Sequence, residues 1–305
     1  VYNPAVPFTL HTWGKGSQGG SDFAGGVSDG TAGAAAMELH RGGLQAHKAW
    51  FFLGDVVVCL GAGLLPDDPT LPVVTSVNQC WKRGPVTTNQ RPAPLPPGEI
   101  HAQTAPGWVH HDGVSYLFPQ ETDRRVRTEH KSASWSALNT APHREARNDP
   151  KVPTPDVEGD VFSLWIEHGN AVGSAGSYGY LVAPGLNPAD IGFFQQNKAP
   201  KILANTPTLQ AVATDDAVQC VFWQPGTLDL PDQRRIQADQ PCLVQWRRNA
   251  DKRWTLAAGN PTHRVRRLHV RVEDPAAAPE PIETKFDFPD DAYAGCPQVR
   301  EFLKS

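Results

Sequence analysis

Apolar residues come in short runs along this chain, broken by glycine, proline and acidic positions, and nowhere in the long 3.6-residue pattern of an amphipathic helix. Leu268, Val270 and Val272 interleave with His269, Arg271 and Glu273, the period of two expected of a strand with one wet face. Residues 48–60 read as two strands joined by a tight turn at Gly54-Asp55. Further strands are predicted at 73–77, 107–111, 115–118, 161–168 and 178–182. After Pro200 they crowd together, at 209–213, 217–223, 242–247, 253–258 and 268–272. That crowding predicts a small antiparallel sandwich of about a hundred residues. The boundary is placed near Asn205, giving units 1–205 and 206–305. Residues 31–39 have helix propensity, but Gly30, Gly33 and Gly42-Gly43 flank them, and a strand packed through small side chains is the reading adopted. The glycine-rich first thirty residues cannot form a regular element throughout, and residues 83–98 with five prolines and 148–155 with three more are expected to be surface loops.

Composition supports an all-β fold and removes several functions. The 305 residues include 29 prolines and 27 glycines, which leave few windows for an uninterrupted helix. The 28 basic and 32 acidic side chains give a net charge of −4, without a lysine-arginine block, which argues against a nucleic-acid partner. The longest apolar stretch, 50–65, is interrupted by Asp55 and falls short of the roughly 20 residues that a membrane helix needs. The sequence starts at Val1 without a charged and apolar leader, so a signal peptide is expected to have been removed or to lie outside it. Five cysteines, Cys59, Cys80, Cys220, Cys242 and Cys296, stand far apart and are read as core thiols rather than a disulfide framework.

Candidate chemistry is sparse. Neither a P-loop nor an HExxH motif is present. In His110-His111-Asp112 neighbouring strand side chains point to opposite faces, which disfavours a metal, and His111-Asp112-Gly113 is read as a hairpin turn. His168 closes an apolar strand and is read as a hydrogen-bonded structural group. The pairs Asp67-Asp68, Asp215-Asp216 and Asp290-Asp291 fall in predicted turns, poor places for the perturbed carboxyl that a glycosidase uses. Trp50, Trp165, Trp223 and Trp246 sit in apolar runs and are assigned to the core. Trp13, Trp81 and Trp135 have polar neighbours and are candidates for stacking on a sugar ring. Beside Trp81, Lys82 and Arg83 could meet a carboxylate.

Taken in order, a set of segments resembles the polysaccharide lyases of the chondroitin AC lyase, hyaluronate lyase and xanthan lyase group. The segments include Phe23-Ala24-Gly25-Gly26-Val27, Gln45-Ala46-His47-Lys48-Ala49-Trp50, Val77-Asn78-Gln79-Cys80-Trp81, Trp165-Ile166-Glu167-His168-Gly169, Ala199-Pro200-Lys201-Ile202-Leu203 and Asp239-Gln240-Pro241-Cys242. The resemblance implies an antiparallel, galactose-mutarotase-like β supersandwich followed by a smaller C-terminal β-sandwich. It also implies that the family's helical toroid, which carries an asparagine, histidine, tyrosine and arginine for the chemistry, lies outside this sequence, in a partner chain or a longer precursor. The implied reaction is β-elimination on a uronic-acid polysaccharide, secreted or periplasmic, with no cofactor required and calcium left open. By the same resemblance, Asp22 orients the toroid's arginine and tyrosine, while Trp81, Asn78 and Arg83 contact substrate. The rival reading is a non-catalytic carbohydrate-binding module working through Trp13, Trp81 and Trp135.

Overall fold

The computed structural model describes residues 20–91, 93–134, 156–170, 173, 176–249, 251–290 and 293–302. The first part of the chain forms β1 (Ala24–Ser28), β2 (Gly33–Arg41), β3 (Leu44–Leu53), β4 (Val56–Pro66), β5 (Val73–Trp81), β6 (Val86–Thr88), β7 (Ile100–Gln103), β8 (Gly107–His111), β9 (Val114–Phe118), β10 (Arg124–Ala133), β11 (Val157–Gly169) and β12 (Ser177–Pro184). A short helix, α1 (Ile191–Asn197), leads to the second part. There follow β13 (Lys201–Asn205), β14 (Leu209–Ala213), β15 (Ala217–Phe222), β16 (Gly226–Asp229), β17 (Arg235–Ala238), β18 (Cys242–Arg248), β19 (Trp254–Gly259), β20 (Arg267–Glu273), β21 (Ile282–Asp287) and β22 (Gln298–Phe302). The all-β expectation holds, and β13 joins the C-terminal sheet.

Four antiparallel sheets stack in layers. An eight-stranded sheet runs β1-β2-β3-β4-β12-β9-β8-β6, and a four-stranded sheet β5-β11-β10-β7 covers one of its faces. Tyr116, Phe118, Tyr178 and Tyr180 from the first interdigitate with Val126, Phe162, Leu164 and Ile166 from the second. Across the other face lies the six-stranded sheet β13-β14-β15-β18-β19-β22, where Phe51, Val58, Leu60 and Leu181 meet Val212, Val221, Leu243 and Ala257. The last layer, β16-β17-β20-β21, packs Leu268, Val270, Val272 and Phe286 on Trp246 and Leu256. Its outer face is wet, as the alternation at 268–273 predicts.

Local turn chemistry behaves as read. Gly54 (φ 63°) closes β3–β4, and Asp112 (φ 48°) with Gly113 (φ 75°) closes β8–β9, left-handed positions that a two-residue hairpin demands. Residues 33–41 are a strand, and Ala34 and Ala36 are buried against the C-terminal sandwich; their small side chains let the two sheets approach.

Within the glycine-rich start, β1 is stabilised by its ladder to β2. Three expectations need correction. The proline-rich 83–98 is not wholly a surface loop, because β6 pairs with β8 and buries Val86 and Leu95. Trp165 is not core: Phe162, Leu164 and Ile166 take the inward positions of β11, leaving Trp165 on the outer face with its Nε1–H donating to Glu167 at 2.6 Å. Cys59, Cys220 and Cys242 are buried free thiols, whereas Cys296 is exposed. Residues 148–155 and 291 lie outside the described residues.

Candidate functional site

Asp22 stands two residues before β1, and its position is fixed by its neighbours. The ring of Phe23 tilts onto Trp223 at 4.3 Å, and Trp223 in turn stacks on His47 at 4.0 Å, so the residue after Asp22 is clamped between the two domains. Ser21 Oγ donates to Glu38 and accepts from Phe23 N–H at 3.1 Å. The Asp22 carboxylate, half exposed, pairs with Arg264 Nη2 at 2.6 Å. It opens on a groove of about 500 Å³ shared with Gln240, Thr262, Arg264, Arg266 and Arg267, all from the C-terminal sandwich.

Trp81 ends β5 on the outward face of the four-stranded sheet. Its indole is 50% exposed and lies over Gly159 of β11, where a Cβ would come within 2.6 Å of the ring. Asn78 belongs to the opposite face. It stands three residues before Trp81 in regular register, so its side chain points the other way, and the Asn78 amide donates inward to Tyr116 Oη at 2.6 Å. Arg83 follows the strand; its backbone N–H donates to His111 Nε2 at 3.0 Å, and its residue is exposed. That bond leaves the proton on Nδ1, which faces Cys80 Sγ at 3.9 Å. Burial holds the His111 pKa below the ordinary histidine value, so the neutral acceptor form is favoured.

The four sequence candidates thus fall into two places. Asp22 lies where the eight-stranded sheet meets the C-terminal sandwich, and Trp81 with Arg83 lies at the margin of the outermost layer. Asn78 supports this margin from inside through Tyr116 rather than sharing the indole's surface. Trp13 and Trp135 lie outside the described residues.

Other candidates take structural positions. His110 meets Ser115 Oγ at 2.9 Å while His111 turns the other way, as strand alternation requires. His168 Nε2 is 2.8 Å from Thr75 Oγ1. Gly26-Val27-Ser28-Asp29-Gly30, a nucleophile-elbow spacing that the sequence reading missed, closes a hairpin, and Ser28 Oγ donates to Ala32 O at 3.0 Å. Among the described residues, no cluster of three or more histidine, cysteine, aspartate or glutamate side chains could hold a metal, and no helix is long and apolar enough to cross a membrane. What the sequence reading missed is the arginine set at 264–267. Three arginines within four positions were a visible signal, but their neighbour Asp22 is far away in sequence.

Comparison with known proteins places these observations in a family context. Residues 4–192 match the model of the polysaccharide lyase family 8 super-sandwich domain, and residues 201–269 match that family's C-terminal beta-sandwich domain. Chondroitinase-AC of Pedobacter heparinus is 36% identical over 288 residues, covering 93% of this chain and 38% of that protein. Xanthan lyase of Bacillus sp. strain GL1 is 30% identical over 250 residues, covering 76% of this chain and 25% of the relative. A chondroitinase AC lyase solved in oligosaccharide complexes superimposes with a TM-score of 0.81 at 34% identity, covering 93% of this chain and 40% of that one. The Paenibacillus xanthan lyase, at a TM-score of 0.80 and 21% identity over 94% of this chain and 29% of the other, shares the fold. The chain therefore spans well under half the length of these relatives.

Proposed function

This chain belongs to polysaccharide lyase family 8, and from that premise we propose that it supplies the two β-domains of a secreted enzyme that cleaves uronic-acid glycosaminoglycans, chondroitin sulfate or hyaluronan, by β-elimination. In this reading the proton-transfer groups sit on a helical toroid carried elsewhere in the enzyme, and the chain alone is inactive. The carrying observation is the 36% identity to chondroitinase-AC, which runs through both domains.

The chemistry makes clear what is asked of these residues. A base takes the weakly acidic C5 proton of a uronate, negative charge develops toward the adjacent carboxylate, and the 4-O leaving group departs with a proton. The site must neutralise the carboxylate and hold its acid and base at hydrogen-bond distance. Asp22 acts as a positioning residue in this scheme: its carboxylate already binds one guanidinium, that of Arg264, and can orient the toroid's arginine and tyrosine. Trp81 offers half of an indole for stacking on a sugar ring, with Arg83 two residues away for its carboxylate; Asn78 shapes that edge through Tyr116. The elimination calls on no redox group, and calcium enters no step of it.

The test combines this chain with a family toroid, in one polypeptide or two, and follows the ultraviolet absorbance of the unsaturated uronate formed from chondroitin. Asp22→Asn is expected to lower kcat at least tenfold without raising KM, and Asp22→Glu to restore most of it. Unaltered turnover in Asp22→Asn overturns the role of Asp22. Oligosaccharide binding without any unsaturated product overturns the lyase reading in favour of a binding module.

A further inference from the structure

We propose that the groove between Asp22 and the loop after β19 is a binding site for an anionic group of the polysaccharide, a uronate carboxylate or a sulfate ester, built chiefly by Arg264, Arg266 and Arg267 of the C-terminal sandwich. It rests on the reading of this chain as part of a glycosaminoglycan lyase and assigns to the C-terminal domain a share in holding the polymer.

Arg264, Arg266 and Arg267 line the groove with Asp22 as the one carboxylate among its lining residues, while the aspartates that pair with Arg266 and Arg267, Asp290 and Asp287, stand outside the lining. A planar guanidinium presents paired donors that match carboxylate and sulfate oxygens, and Gln240 and Thr262 add neutral polar groups suited to sugar hydroxyls. The volume of about 500 Å³ is within the range of small-ligand sites.

The loop that carries these arginines is held in place. Asn260, 2% exposed, donates from its amide to Val265 O at 2.9 Å and accepts from Thr262 Oγ at 3.2 Å. Thr262 Oγ also accepts from Arg264 N–H at 3.3 Å, and His263 is held at φ 58°. The loop is fastened to the first domain as well, since Ala24 N–H donates to Pro261 O at 3.2 Å and a Cβ on Gly25 would lie 2.9 Å from Pro261 Cα. A buried asparagine and a cross-domain bond thus fix the loop backbone that carries the arginines beside Asp22.

Their present partners are replaceable. Arg264 is 78% exposed in its pair with Asp22, Arg266 meets Asp290 at only 3.4 Å, and Arg267 pairs with Asp287 on the surface. Exposed pairs of this kind contribute little and yield to a better ligand. A polysaccharide anion therefore competes with Asp22 for Arg264, which gives the proposal an unusual signature: removing the carboxylate should tighten binding.

The experiment titrates this chain with chondroitin 4-sulfate and hyaluronan hexasaccharides by calorimetry at two salt concentrations. The R264Q/R266Q/R267Q variant is expected to weaken binding at least tenfold with a flatter salt dependence, and Asp22→Asn to strengthen it severalfold. Arg264→Lys, which retains charge but not the paired donors, should fall between. Equal losses for both sugars assign the site to uronate, and a larger loss for the sulfated one assigns it to sulfate. Unchanged affinity in the triple variant with a native thermal transition overturns the proposal, as does a wild-type chain that binds neither sugar. Loss of binding on Trp81→Ala alone, with the arginine variants silent, overturns this site while leaving the lyase reading intact.

Discussion

Gly159 and Trp81 share a single surface spot on two strands, and their contact sets the angle at which the indole meets solvent. A methyl at Gly159 enters the ring's volume at 2.6 Å, and the half-exposed indole must swing away to accommodate it. Gly159→Ala is therefore expected to change stability by less than about 1 kcal/mol, as for most surface substitutions, and yet to weaken oligosaccharide binding several-fold. Urea denaturation and fluorescence titration of the indole would check both; undiminished affinity would remove Trp81 from the substrate surface. Trp81 could be picked out in the sequence because polar residues surround it. The need for glycine at 159 was not legible, because it follows from the pairing of Trp81 with Val161, two residues along β11, which is a fact of sheet register.

Whether a strand displays a period of two depends on how many of its faces are covered. β20 and β21 have one wet face, and their alternation could be read directly. β15 and β19 are buried along their whole length, because the six-stranded sheet lies between two other sheets. A strand covered on both sides reads as continuous apolar sequence. β2 shows the opposite ambiguity: its alanines favour a helix in isolation, and only packing against the C-terminal sandwich explains why they must be small. Ala36→Leu should overpack this layer and cost about 1–3 kcal/mol in urea denaturation. A neutral result would mean that the sheets separate more easily than their contacts indicate.

The two domains are joined by a continuous core, and beside the exposed Asp22–Arg264 pair a more deeply buried ion pair also links them. Asp29, in the β1–β2 turn, receives Arg247 Nε at 2.6 Å; the carboxylate side chain is 2% exposed and the arginine 16%. Burial alone would raise the Asp29 pKa, but hydrogen bonds from Arg247 and from the Ala32 and Thr31 amides outweigh it and hold the carboxyl below its ordinary value. The sign follows from linkage. A carboxylate with a depressed folded pKa contributes stability that is complete above the unfolded value, about 4, and is lost as pH falls through the folded value. Asp29→Asn leaves a mostly buried guanidinium uncompensated and should cost about 3 kcal/mol at neutral pH. The difference between wild type and variant should shrink as the pH drops below 4 in denaturation curves; a gap independent of pH would show that the ion pair is not its source.

What the sequence determined by itself was the local grammar and the kinship. Strands at 107–111 and 209–213 and the turns at Gly54 and Asp112-Gly113 follow from alternation and from the backbone freedom of particular residues, which act over a few positions. The order of the shared segments pointed to the lyase group for the same reason, as each is contiguous. The tertiary structure decided everything that depends on which face of a strand meets which layer. It turned Trp165 outward, drew Asn78 inward to Tyr116 and buried the six-stranded sheet twice over. It also brought Arg264 to Asp22 from the opposite end of the chain. Contacts between residues so far apart depend on register and layer order, and no local stretch of sequence contains either.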